Sequence, residues 1–223
     1  NEQVERRVQE WIAQREQQRR EAAERHRPII AVGGDHGALR EHVARRVAGR
    51  LGFSYWDREI LHELAHEGHI PQSLLEQLDE RRINRWSEAL AGFRLRSRPR
   101  SADYAKVLKG FVEELADTGR AVVVGRGVRF LLRSKTALRV HVSAPLEHRV
   151  RTVMSVQHLE YDDAARHVKE VDAERADYVR ELFGADLHAL DDVDLVVNSG
   201  TLGVENASQT IVDAYQRRFG TTD

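Results

Sequence analysis

Short apolar runs alternate with longer amphipathic stretches along most of this chain. Five of the runs are rich in Val, Ile, Leu or aromatic residues, and each has the length of a buried strand. They cover residues 28–32, 53–56, 121–125, 138–144 and 194–199. Because helical stretches separate the runs, the pattern predicts an α/β fold built on a parallel sheet of five strands.

The stretches between the runs predict helices. After the first strand, Val43, Val47 and Leu51 recur at i, i+4 and i+8, which places them on one face of an amphipathic helix. Further helices are predicted over 57–68, 71–82, 102–118, 145–159, 161–183 and 204–218. Pro71 and Pro145 stand at two of these helix starts, where a missing N–H group costs little.

The first 26 residues form a separate, highly charged segment. Its pattern is helical, with a short apolar stripe made of Val4, Val8, Trp11 and Ile12. We interpret residues 2–26 as a solvated helix that packs against the body by about one turn. A helix that forms a homodimer is the alternative. The expected boundaries are therefore 1–26 for this helix and 27–223 for the main domain.

Composition and charge narrow the classes of function. The 223 residues suffice for one domain with a sizeable core. Lys and Arg (35) nearly balance Asp and Glu (36), so the net charge favours neither nucleic acid nor an anionic membrane as a partner. The absence of cysteine excludes disulfides and thiol catalysis. No signal peptide and no apolar run of about 18 residues is apparent, so we expect a cytoplasmic protein.

The turn after the first strand carries candidate chemistry. A turn from Gly33 to Gly37 joins a buried strand to a helix, and this layout suits anions, because loop N–H groups and the helix N-terminus face them. The P-loop pattern G-x-x-x-x-G-K-[ST], placed on Gly34, puts Leu39 at the second Gly, Arg40 at the Lys and Glu41 at the hydroxyl residue. A nucleotide phosphate loop with Arg40 as its cation and an ordinary tight turn are both consistent with this string.

Two further strand ends bear arginine. Asp57 and Arg58 follow the second strand, at the carboxyl edge of the sheet where α/β proteins bind ligands. Arg58 could bind a phosphate through its planar guanidinium, but an Asp N-cap beside an exposed Arg is the simpler interpretation. Arg126 stands between Gly125 and Gly127 after the third strand, and here the two glycines favour close approach of a ligand.

The predicted helix 161–183 carries a group of charged residues. Asp172, Arg175 and Arg180 lie within two to three turns of one another. Such a group could face a ligand, but a charged helix surface is more often only solvated.

A metal-binding motif also appears in the predicted helix 57–68. His62, Glu63 and His66 match H-E-x-x-H, which could bind zinc with the Glu as general base. The extended metalloprotease spacing fails, because His69 stands where that pattern requires Gly. Eleven histidines make an accidental match easy, so a zinc hydrolase is a distant alternative.

Taken together, the motifs resemble the cytidylate-kinase-like branch of the P-loop nucleoside monophosphate kinases, over about residues 28–219. The family's order of strand, Gly-rich loop, helix and Y-x-D-R-E strand end matches IIAVGGDHGALREHVARRVAGRLGFSYWDREI without a gap. Four later motifs follow in family order: VVGRG at 123–127, HVSAPLEHR at 141–149, DAERADY at 172–178 and DLVVN at 194–198.

The resemblance implies a three-layer P-loop kinase sandwich around a five-stranded parallel sheet. It also implies a helical insertion that binds the monophosphate, at about 60–118, and a lid at about 155–190. The implied reaction is ATP-dependent phosphoryl transfer to a pyrimidine monophosphate, with CMP or dCMP as the first candidates and Mg²⁺ as the bridging ion. The nucleotide is the implied partner.

The resemblance assigns roles residue by residue, and it assigns no metal ligand. The catalytic arginines would be Arg40, Arg126, Arg175 and Arg180. The residues around the ATP phosphates would be Gly34, Asp35, His36, Gly37, Ala38, Leu39, Arg40 and Arg149. The acceptor would contact Asp57, Arg58, Arg126 and Asp172.

The loop departs from the family's G-S-G-[GK] turn. Leu39 replaces a glycine and is expected to resist a positive φ. Glu41 removes the hydroxyl expected near Mg²⁺ and would repel a triphosphate unless it points away. An active kinase is therefore the first hypothesis, and a nucleotide-binding or partner-binding module that has lost catalysis is the alternative.

Overall fold

The computed structural model describes residues 28–57, 109–113, 115–117, 119–125, 127–132 and 137–220. Several sequence predictions fall outside these ranges. They are the N-terminal helix 1–26, the helix 71–82 and nearly all of the helix 57–68, the histidines His62, His66 and His69, and the two arginines Arg58 and Arg126.

Five parallel strands form one sheet, as the alternating apolar runs predicted. The strands are β1 (Ile29–Gly34), β2 (Ser54–Trp56), β3 (Ala121–Val124), β4 (Ala137–Ser143) and β5 (Leu195–Asn198). Their order across the sheet is β2-β3-β1-β4-β5. Ile30 lies opposite Val122 of β3 on one side and Leu138 of β4 on the other. The central strand is therefore the one that leads into the glycine-bearing turn.

Within the described ranges, the helices agree with the predictions apart from two additions. They are α1 (Arg40–Leu51), α2 (Val128–Leu131), α3 (Leu146–Gln157), α4 (Tyr161–Phe183) and α5 (Ser199–Phe219), and residues 109–113 and 115–117 are also helical. The short α2 was not predicted, because one turn carries no periodic signal. The element α5 opens with an additional turn at Ser199, where the Asn198 side chain accepts from Thr201 N–H. Gly203 is non-helical, and the helix predicted over 204–218 follows it.

Alternate residues of the central strand enter two different cores. Ile30 and Val32 pack with Val43, Val47 and other residues of α1 and α5. Ile29 and Ala31 lie on the opposite face of the sheet, where they pack with the helical residues near 111–116 and with α2. Because side chains alternate along a strand, helices on both faces bury it completely. The result is a sandwich of three layers.

A third apolar cluster joins α3 to α4. Val150 and Val153 of α3 pack on Ala164 and Val168 of α4. This contact sets α4 beside the carboxyl edge of the sheet, near the end of β1. None of the helices within the described ranges is both long and apolar enough to cross a membrane.

Candidate functional site

The loop between β1 and α1 is held by close backbone contacts. The strand β1 extends through Gly34, so the turn begins at Asp35, two residues after the predicted start at Gly33. Asp35 N–H donates to the Val142 carbonyl at 3.0 Å. Gly37 has φ 81°, and a Cβ there would lie 2.7 Å from the carbonyl oxygen of Arg149. Neither that φ nor that approach suits another residue.

Leu39 adopts the left-handed conformation that a leucine was expected to resist. Its φ is 56° and its ψ is 29°, and its carbonyl accepts the first helical bond of α1 from Val43 N–H at 3.0 Å. A leucine in this region costs roughly 1–2 kcal/mol. The tertiary contacts of the loop and α1 outweigh that cost, so Leu39 holds the left-handed conformation that a glycine would adopt more readily.

Ser199 also anchors the loop, and sequence reasoning missed it. Its buried hydroxyl donates to the Ala38 carbonyl at 2.7 Å and also lies 3.2 Å from the Ser143 carbonyl. These contacts join the loop to the end of β4 and the start of α5. A serine after a strand carries no distinctive sequence signal, so only the structure shows this role.

Two guanidinium groups converge on one carbonyl oxygen of the loop. Arg40 Nη1 donates to the oxygen of Gly34 at 3.0 Å, and Arg175 Nη2 donates to the same atom at 2.6 Å. Arg40 also pairs with Glu41 at 2.7 Å. Thus Arg40, expected beside the ATP phosphates, has protein partners, and the Glu41 carboxylate is bound by that arginine.

The carboxylate of Asp172 reaches the loop from α4. Its Oδ1 atom accepts from His36 N–H at 3.1 Å, and its Oδ2 atom accepts from Arg149 Nη1 of α3. Arg149 Nη1 also lies 3.4 Å from the His36 carbonyl. Asp172, which the resemblance assigned to the acceptor, is thus placed against the loop assigned to the ATP phosphates.

A second carboxylate lies within the loop itself. Asp35 Oδ1 is 3.0 Å from His141 Nε2, a buried ring on β4 that sequence reasoning did not single out. Burial alone would raise the pKa of Asp35, but the hydrogen bond and charge of His141, with Arg149 and Arg175 beyond, lower it. Asp35 is therefore held ionised. In the sequence His141 appears only as the first residue of the HVSAPLEHR motif, within a strand that also contains Arg139.

His36 is held neutral in this cationic environment. Burial of the ring lowers the pKa of His36 from 6.5 to about 4, and the charge of Arg175 acts in the same direction. The His167 ring of α4 meets it edge-on, with ring centroids 5.4 Å apart. The negative charge of Asp172 opposes the shift without reversing it.

The remaining predicted residues lie elsewhere or outside the described ranges. Asp57, at the end of β2, pairs with Arg45 of α1 at 3.2 Å. Arg180 pairs with Asp177 at 2.6 Å on an exposed part of α4. Arg58 and Arg126 are not described. The structure therefore brings together the loop 34–40 with Arg149, Asp172 and Arg175, and it does not place Arg180 or Asp57 in that group.

The model of the cytidylate kinase-like family matches residues 29–201, which include the loop, α3 and α4. The chain belongs to this family. This membership supports a nucleoside monophosphate kinase-like function.

Two similar proteins that are named cytidylate kinase support this assignment to the family. The chain is 24% identical over 184 residues to a cytidylate kinase of Ignicoccus hospitalis, covering 82% of this chain and 96% of that protein. It is 23% identical to a cytidylate kinase of Pyrobaculum neutrophilum, covering 83% and 91% of the two chains. These are distant similarities along nearly the whole length of each relative.

Solved structures show the same fold. An uncharacterized protein from Eubacterium ventriosum superposes with a TM-score of 0.65 at 17% identity, covering 85% of this chain and 99% of that one. A shikimate kinase from Acinetobacter baumannii, in complex with shikimate, gives a TM-score of 0.50 at 14% identity, covering 88% and 97%. At these identities the likeness concerns the P-loop kinase fold alone.

Membership of the cytidylate kinase-like family implies the use of ATP and Mg²⁺. The loop has more groups suited to the phosphates of ATP than to Mg²⁺. Three guanidinium groups, those of Arg40, Arg149 and Arg175, offer charge and donors to phosphate oxygens. Mg²⁺ ordinarily takes a Ser or Thr hydroxyl from a P-loop, but here Glu41 stands in that position and pairs with Arg40. Within the described residues no group of three or more metal-ligating side chains occurs. The described part of the loop therefore offers donors to phosphate oxygens but offers Mg²⁺ no hydroxyl at the position of Glu41.

Proposed function

We propose that this protein transfers the γ-phosphoryl group of ATP to a pyrimidine nucleoside monophosphate, with CMP or dCMP as the first candidates. Family membership and the relatives named cytidylate kinase support this choice of substrates. In this reaction an oxygen of the acceptor phosphate attacks the γ-phosphorus of ATP. The bond from that phosphorus to the β–γ bridging oxygen breaks, and ADP leaves with the bridging oxygen.

Three arginines converge on the glycine-bearing loop that joins β1 to α1, and this convergence is the main support for the proposal. Arg40 comes from α1, Arg149 from α3 and Arg175 from α4, and all three contact backbone carbonyls of residues 34–36. Phosphoryl transfer depends mainly on positioning and on neutralising negative charge, so guanidinium groups on rigid helices are suitable machinery.

The acceptor would bind at the ends of β2 and β3. There the motif match assigns Arg58 and Arg126 to the acceptor phosphate, and both are part of this proposal. Asp57 is 8% exposed and pairs with Arg45 of α1, so the end of β2 is tied to the helix that follows the loop. Such a tie would keep the acceptor and donor sites at a fixed separation.

One observation favours a second function. Glu41 replaces the expected hydroxyl, and its pair with Arg40 keeps a negative charge at the start of α1. A protein with this loop could retain a monophosphate site and bind nucleotides without turning them over. A non-catalytic nucleotide-binding or partner-binding module is therefore the alternative.

Turnover on a panel of monophosphates separates the two functions. Purified protein with Mg-ATP and CMP, dCMP, UMP, AMP or GMP should form ADP and one pyrimidine diphosphate in equal amounts, measured by chromatography.

Arg149→Gln should lower kcat/KM by about 100-fold, whereas Arg151→Gln, an exposed residue on the same helix, should leave it unchanged. Calorimetric binding of CMP without turnover on any acceptor would support the non-catalytic alternative.

A further inference from the structure

The carboxylate of Asp172 has the surroundings of a bound anion. It accepts from one loop N–H group, that of His36, and from the guanidinium of Arg149. A second guanidinium nitrogen, Arg175 Nη1, lies 3.9 Å from its Oδ1 atom. A backbone N–H group at a strand-to-helix turn, together with arginines, is what binds phosphate oxygens in proteins.

We propose that Asp172 is an internal anion that fastens α4 to the loop and competes with nucleotide phosphates for the same donors. This proposal rests on the proposed function, because it takes the loop to be the phosphate site. In the structure this carboxylate occupies the donors of His36 and Arg149. A phosphate group can use them only after Asp172 has withdrawn.

The charges around the loop explain why such an anion is needed. The guanidiniums of Arg40, Arg149 and Arg175 carry three positive charges, and they are at most 16% exposed. Burial of cations without counter-charges is costly. Asp35, Glu41 and Asp172 supply three negative charges at the same place. Asp172 therefore supplies one of the carboxylates that offset these guanidinium groups, and a phosphate that displaces Asp172 takes over that part.

Competition of this kind lowers the apparent affinity for phosphate. If the donors are free in only a fraction of the molecules, the apparent Kd rises by the inverse of that fraction. Replacement of Asp172 by asparagine removes the negative charge while keeping the size of the side chain. The variant should therefore bind a polyphosphate more tightly than the unmodified protein.

The test measures binding of inorganic tripolyphosphate by calorimetry, at low ionic strength and without Mg²⁺. Asp172→Asn should lower the Kd at least tenfold, as expected when about a tenth or less of the unmodified protein has free donors. Asp163→Asn is the matched control, because Asp163 lies on the same helix, is exposed and pairs with Arg166. That variant should leave the Kd within about twofold, since Asp163 lies about 13 Å from Asp172 along the helix and its charge is paired with Arg166.

An unchanged or higher Kd in Asp172→Asn, or no binding by either protein, would overturn the proposal. Hydrogen exchange supplies a second test that needs no variant: the His36 amide should be protected in the unliganded protein, and fast exchange there would also overturn it. Tripolyphosphate carries no base or sugar, so this outcome is independent of whether CMP is phosphorylated. Failure of turnover on all monophosphates would instead contradict the proposed function.

Discussion

Arg40 and Arg175 donate to the same carbonyl oxygen, that of Gly34 at the end of the central strand. One arginine begins α1 and the other lies in the middle of α4, so two elements far apart in the chain meet on a single backbone atom. Charge-assisted hydrogen bonds of this kind are stronger than neutral ones. The pair therefore fixes the shape of the loop and ties α4 to the sheet.

The backbone of Leu39 should be strained, and a pair of variants isolates that strain. Leu39→Ala removes most of the side chain but keeps the penalty of a positive φ, whereas Leu39→Gly removes both. We therefore expect the glycine variant to have a free energy of unfolding about 1 kcal/mol higher than the alanine variant. Urea denaturation measures both. Equal stabilities, or a more stable alanine variant, would show that the loop does not hold Leu39 at φ 56°.

Gly37 and Gly49 should respond in opposite ways to substitution by alanine. Gly37 has φ 81°, and its added Cβ would meet the Arg149 carbonyl at 2.7 Å, so Gly37→Ala should lower stability by at least about 2 kcal/mol. Gly49 lies exposed in α1 with open space around it, so Gly49→Ala should raise stability by about 0.5–1 kcal/mol. Thermal melting of both variants tests the pair, and a tolerated Gly37→Ala would contradict the described loop.

Stability should depend on the protonation of His36. In the unfolded chain its pKa is about 6.5, and in the folded protein burial lowers it to about 4. The unfolded state therefore binds the proton first as the pH falls, and the free energy of unfolding should decrease between pH 6.5 and 4. Above pH 6.5 this residue should have no effect.

Histidine variants separate this contribution from that of other groups. His36→Gln should flatten the decrease in stability below pH 6.5, while His42→Gln, a change at an exposed position of α1, should leave it in place. Denaturation curves at several pH values give the comparison. An identical slope in His36→Gln and the unmodified protein would count against a buried, neutral His36.

Arg129 should hold the segment between α4 and β5. Its buried side chain donates from Nη2 to the carbonyls of Leu187 and Ala189, both at 2.8 Å, and Nε lies 3.6 Å from Asp192. Arg129→Gln should cost about 2 kcal/mol, because two carbonyls lose their donor. It should also speed hydrogen exchange over residues 187–192.

Arg217→Gln, at an exposed position of α5, is the matched control for Arg129 and should have little effect on stability. Loss of stability without faster exchange in the 187–192 segment would mean that Arg129 acts through other contacts.

The fold was predictable because its signals are local. Val43 and Val47 at helical spacing did form the buried face of α1, and the apolar runs did form strands. The contacts within the candidate site were harder to predict from the sequence. The meeting of Asp172 with His36 spans 136 positions of sequence, and no periodic pattern records it. The conformation of Leu39 could not be predicted from the intrinsic preference of leucine, because tertiary packing outweighs the local cost of a positive φ.

Transfer of a labelled phosphoryl group is the most direct test of the proposed reaction. The protein is incubated with Mg-ATP labelled at the γ-phosphate and with CMP, and the products are separated. The label should appear in the β-phosphate of CDP, in an amount equal to the ADP formed. Label that stays in ATP or is released only as inorganic phosphate, with dCMP and UMP giving the same result, would contradict it.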